Sequence, residues 1–141
     1  MSQKKKILVV DDDFEQRDLY VDLFMANGFE VLSAPDGLNG LEVALKEKPD
    51  LVFTGIIMPR MDGFELIRNL RNNAVTAHVP IIVFSHLGRE EDRQKAEEFR
   101  VDFMIKGYNK PKEILDRVKS MLLPNKSGSY QEDPRRPRGL I

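Results

Sequence analysis

The 141-residue chain contains no cysteine. That excludes disulfides, zinc–thiolate sites and cysteine nucleophiles, and it suits a reducing compartment. Long hydrophobic runs are missing as well. The N-terminal Met-Ser-Gln-Lys-Lys-Lys passes straight into an apolar stretch at residues 7–10, far too short for a signal sequence or a membrane span. A cytoplasmic protein without membrane association is expected. Net charge is nearly absent, at -1, so the domain carries no nucleic-acid footprint. The charge is uneven, with 18 basic against 21 acidic residues up to position 123 and four against two beyond it. No Ser/His/Asp or Cys/His set is visible, and His78 and His86 lack metal-ligand spacing. The sequence therefore does not read as an enzyme.

What is there is an alternation of apolar runs and helix-period segments, the pattern of a parallel α/β sheet. Strands are expected at residues 7–10, 30–34, 51–54, 80–84 and 102–105. The first is apolar throughout, as in a strand covered on both faces. Between them lie helices marked by Leu19, Tyr20, Leu23 and Phe24, by Leu38, Leu41 and Leu45, and by Phe64, Ile67 and Leu70. A mostly charged segment at 88–99 has only Ala96 and Phe99 as apolar anchors. The last helix carries Ile114, Leu115, Val118, Met121 and Leu122, with Pro111 tolerated in its first turn. Five βα units in series make a doubly wound sheet. The composition changes after Leu123, and residues 124–141, rich in Pro, Gly and Ser, read as a disordered tail or linker. A single domain over 1–123 is expected.

In such sheets ligands sit at the C-terminal strand ends. There the chain gathers Asp11, Asp12 and Asp13 after the first strand, Gly55 and a Met-Pro-Arg-Met-Asp-Gly run at 58–63 after the third, Ser85 after the fourth and Lys106 after the fifth. Asp13 reads as a helix cap, whereas Asp11 and Asp12 read as site acids. Pro59 and Gly63 shape a loop, and Met58 and Met61 read as packing. Ser85 alone could be a helix cap, and Lys106 alone a surface lysine. An internal pair between Lys106 and Asp12 is expected.

These residues, in this order and spacing, resemble the receiver domain of two-component response regulators over residues 5–123. The resemblance implies a flavodoxin-like (βα)5 fold with strand order 2-1-3-4-5. It implies a Mg²⁺ site at Asp11, Asp12 and the carbonyl of Ile57, a switch hydroxyl on Ser85, a switch aromatic at Phe103 and a charge-compensating amine on Lys106. An aspartate at the end of the third strand would accept the phosphoryl group, but that position falls on Gly55. Thr54 points to the opposite face by strand alternation, and Asp62 lies in the loop, so neither replaces it. Gly107 stands where the family usually has proline, which suggests a looser turn.

The implied function is a phosphorelay receiver without its acceptor. It would be either a natural pseudo-receiver working through protein contacts or a phosphorylation-dead variant, with weakened Mg²⁺ binding. Partners would be a histidine kinase or an output protein on the 88–122 face, with the domain itself a monomer or weak homodimer. The competing reading is a flavodoxin-like small-ligand binder or enzyme. Three aspartates after the first strand argue against it, because they repel phosphate instead of cradling it.

Overall fold

The computed structural model describes residues 3–123; the expected tail at 124–141 lies outside the described residues. The elements run β1 (Lys6–Val10), α1 (Phe14–Ala26), β2 (Glu30–Ala34), α2 (Gly37–Glu47), β3 (Leu51–Thr54), α3 (Gly63–Arg71), β4 (Ile81–Ser85), α4 (Glu90–Phe99), β5 (Asp102–Ile105) and α5 (Pro111–Leu122). All strand pairs are parallel, in the order β2-β1-β3-β4-β5.

Strand alternation sorts the apolar residues into two cores. Ile7, Val9, Leu51, Phe53, Ile82 and Phe84 pack with α1 and α5. Leu8, Val10, Val52, Ile81 and Val83 pack with α2, α3 and α4. The central strands are buried on both faces, which explains why they lack polar alternation. Tyr20, Phe24, Phe53 and Phe84 form a ring cluster with centroids 5.0–5.9 Å apart, and each such ring stabilises the fold by roughly 1.5–3 kcal/mol through burial.

α1 departs from the sequence reading. Leu19, assigned to its apolar stripe, is 51% exposed. The buried residues are Gln16, Tyr20 and Phe24, a single i, i+4 line down the helix. α4 begins at Glu90 instead of Gly88. Its contact with the body comes from Ala96 and from Phe99, which stacks on Phe64 at 6.3 Å. Lys95 lies over the Phe64 ring and Arg93 over Phe103, at 5.4 and 5.1 Å, so cations cover aromatic faces that an apolar stripe would otherwise cover.

Burial pushes the Tyr20 phenol up to about 12. In the unfolded chain it titrates near its ordinary value of about 10. Its contribution to stability is therefore complete below about pH 10 and is lost as pH rises toward 12. Tyr20→Phe should lose about 1–3 kcal/mol less than the unchanged protein across that window, measured by urea denaturation at a series of alkaline pH values. Parallel curves would show that the phenol ionises as freely in the fold as outside it.

Candidate functional site

After β1 the chain enters α1 on one face of the sheet, and after β3 it enters α3 on the other. The crevice between these two strand ends is the topological switch point. A cleft of about 50 Å³ opens there, lined in part by Asp11, Asp12, Gly55, Ile57, Ser85 and Asp92. Organic cofactor sites are larger, on the order of 300–1,000 Å³.

Asp11 is 5% exposed and continues the sheet, its N–H donating to the Ala34 carbonyl. Its Oδ1 accepts from the Asp13 N–H and its Oδ2 from Gln16 Nε2, both at 2.9 Å. Burial raises its carboxyl pKa above the usual carboxylate range. The two hydrogen bonds oppose that shift, and the charges of Asp12 and Asp13 add to it. Asp12 is exposed. Asp13 caps α1, accepting from the N–H groups of Glu15 and Gln16.

Gly55 keeps its place in the ladder, donating to the Val10 carbonyl at 2.9 Å. A Cβ built there would stand 3.7 Å from the Asp11 carboxyl carbon, an ordinary contact. Thr54 is fully buried and donates to the Gly55 carbonyl. The following loop is tightly folded. Gly63 N–H donates to the Ile56 carbonyl at 2.7 Å and Met61 N–H to that of Pro59 at 2.7 Å. Met58 is buried and Met61 packs on the same core. Arg60 adopts φ +68° and its guanidinium grips Asp36 Oδ2 at 2.9 Å, tying this loop to the start of α2. The Asn39 N–H, capped by Asp36, and the Arg60 guanidinium hold the Asp36 carboxyl below its usual range.

Ser85 is buried, and its Oγ accepts from the Leu87 and Gly88 N–H groups at 3.2 and 3.0 Å. The hydroxyl thus closes its own loop. Phe103 is half-buried under Arg93. The expected pair between Lys106 and Asp12 is not formed: both side chains are exposed, and among the described residues no ion pair joins them. Two solvated charges gain little by pairing, and the cleft holds no third carboxylate at position 55 to draw the ammonium in. The turn after Lys106 closes with the Asn109 N–H donating to the Ile105 carbonyl. Gly107 takes φ +85°, and Asn109 Oδ1 accepts from the Ile105 N–H at 2.8 Å.

Three participants were missed in the sequence: Gln16, His86 and Asp92. Gln16 was legible in its i, i+4 relation to Tyr20 and Phe24, but an amide is not scored in an apolar pattern. Asp92 is a carboxylate only 4% exposed, paired with Arg89 at 3.2 Å.

The residues at the cleft fit a dedicated Mg²⁺ site poorly. Among the described residues no group of three Asp, Glu or His side chains is placed to hold an ion. Asp11 already accepts from the chain on both oxygens, and Asp92 is engaged by Arg89. A hard cation of this kind needs carboxylates free to face it.

Comparison with known proteins agrees with this architecture. The response regulator receiver domain family matches residues 7–119. The chain is 36% identical over 120 residues to the probable transcriptional regulator ycf27 of Cyanophora paradoxa, covering 84% of this chain and 48% of that relative. It is 34% identical to the DNA-binding dual master transcriptional regulator RpaA of Synechocystis, covering 83% and 48%. The chain thus spans about half the length of these curated relatives. Among solved structures, the chemotaxis protein CheY4 of Vibrio cholerae superimposes with a TM-score of 0.78 at 26% identity, over 85% of this chain and all of the other. With the match running from the first strand into the last helix, the chain belongs to the response regulator receiver domain family of two-component systems.

Proposed function

We propose that this receiver domain works without accepting a phosphoryl group, because Gly55 stands where the family's reaction needs an aspartate. The observation that carries this reading is the end of β3. Gly55 sits in the ladder beside Val10, opposite the buried Asp11, and contributes no side chain to the cleft. Thr54 faces away into the core and Asp62 caps α3 through the Glu65 N–H, so neither offers a substitute nucleophile. The test is incubation with acetyl phosphate and Mg²⁺ followed by intact mass, beside a Gly55→Asp protein.

Signalling then proceeds by contact. The surface formed by α4, β5 and α5, residues 88–122, presents the charged face of α4 and the Asp102–Arg117 pair to a histidine kinase or an output protein. Monomer or weak homodimer is the proposed state, with Lys106, Ser85 and Phe103 retained at the switch positions. The relatives' names include transcriptional regulation and DNA binding; we place any such output outside residues 1–123. Among the described residues no helix is long and apolar enough to cross a membrane; a cytoplasmic setting is part of the proposal.

Cation binding by Asp11, Asp12 and the Ile57 carbonyl is proposed to be weak. Linkage makes this measurable, since a ligand stabilises only in proportion to its occupancy of the fold. Millimolar Mg²⁺ should leave the Tm of the unchanged protein within about 1 °C and raise that of Gly55→Asp by several degrees, on the order of 1 kcal/mol. Equal rises in both proteins would show that Gly55 costs the site no ligand.

A further inference from the structure

We propose that Gln16 straps the β4–α4 loop to the acidic edge of the sheet, holding that loop in one position without a phosphoryl group. The last clause rests on the reading of Gly55; the strap itself does not.

Gln16 is a polar side chain on the buried line of α1, only 7% exposed. Its amide nitrogen has two hydrogens to place, and the site offers two acceptors. Asp11 Oδ2 lies at 2.9 Å and His86 Nε2 at 3.3 Å. For the imidazole to accept, its own proton must sit on Nδ1. One NH₂ group therefore joins α1, the end of β1 and the loop that follows β4, across 70 residues of sequence. Both ends are fixed. Asp11 is held by the Asp13 N–H and by its place beside Ala34. His86 follows Ser85, whose hydroxyl folds the same loop by accepting from Leu87 and Gly88.

The Ser85 oxygen accepts within its own loop, and those contacts fold the loop without reaching across the cleft. In a phosphorylated receiver, a hydroxyl at this position bonds a phosphoryl oxygen and draws the loop inward. Here the reach across the cleft is made from α1 by an amide. A carboxylate that is buried and turned toward Gln16 is also a poorer cation ligand, which adds to the ligand missing at Gly55.

The test uses the full chain, without phosphodonor. Gln16→Leu removes the donor at similar volume, and His86→Phe removes the acceptor while keeping a ring. Residue-resolved amide hydrogen exchange is followed at Leu87 and Gly88. Each variant should exchange there about two- to tenfold faster, with Val9 and Phe53 unchanged. The double variant should be no faster than the faster single, because both break one connection. Unchanged loop exchange in the two singles, additive effects in the double, or acceleration spread evenly over the sheet would each overturn the strap. Should Gln16→Leu fail to fold, His86→Phe, altered at an exposed residue, decides alone. Because no phosphoryl chemistry enters, failure here leaves the reading of Gly55 standing, and labelling of the unchanged chain by acetyl phosphate would leave the strap standing.

Discussion

Gly55→Asp is expected to take up one phosphoryl group from acetyl phosphate and Mg²⁺, while the unchanged chain takes up none. The backbone permits the change. Gly55 is not among the glycines at positive φ, and its added Cβ would make only a 3.7 Å contact with the Asp11 carboxyl. The new carboxylate would enter the cleft beside Asp11 and Asp12, completing a three-acid site. Like-charge crowding raises the pKa of such acids, and a divalent cation relieves it. Labelling should therefore require Mg²⁺ and vanish on chelation. The step itself is attack by the carboxylate oxygen on phosphorus, with acetate leaving, to give an acyl phosphate on residue 55. Intact mass reads the result directly as a shift from essentially no label to a substantial fraction. Label on the unchanged chain would mean that another side chain is the acceptor. Absence of label on both would move the defect away from Gly55, first to Lys106, whose ammonium is exposed.

Much of this site was legible because its parts depend on backbone position. Continuous apolar strands set the sheet, and the sheet's parallel order puts every strand end on one edge. Asp11, Gly55 and Lys106 follow their strands, and Ser85 is the last residue of β4. What the sequence hid were choices between equivalent polar partners. Asp12 and Lys106 have the right charges to pair, yet water satisfies both more cheaply than two ordered side chains would. Leu19 looked like core because it is apolar and next to Tyr20, but helical geometry gave the inward place to Gln16, four residues before Tyr20. Asp92 stands in a run of acids and reads as solvated. Its burial depends on Arg89 lying one turn earlier, which charge patterning alone does not reveal. α4 follows the same logic: too few apolar residues to predict firmly, and anchored in fact by ring stacking and cation–π contact.

The second large effect separates two glycines of one loop. Gly63→Ala is expected to lower stability by about 2–4 kcal/mol, a fall in Tm of roughly 5–15 °C. Gly55→Ala is expected to change it by less than about 1 kcal/mol. The difference lies in what each Cβ meets. At position 63 it would stand 2.1 Å from the Gly55 carbonyl oxygen and 3.0 Å from the Ile56 Cα. These are backbone atoms, which cannot rotate aside as a side-chain tip can. Relief requires moving the start of α3, whose Leu66, Ile67 and Leu70 are completely buried, or giving up the bond from the Gly63 N–H to the Ile56 carbonyl. At position 55 the added methyl meets only the Asp11 carboxyl at ordinary distance. Thermal denaturation of the two alanine variants beside the unchanged protein measures this contrast. If Gly63→Ala melts with the unchanged protein, the loop has slack and does not fix the cleft. If Gly55→Ala falls as far as Gly63→Ala, the fold itself demands glycine at 55. The missing carboxylate would then be a packing requirement, and not a feature free to vary with function.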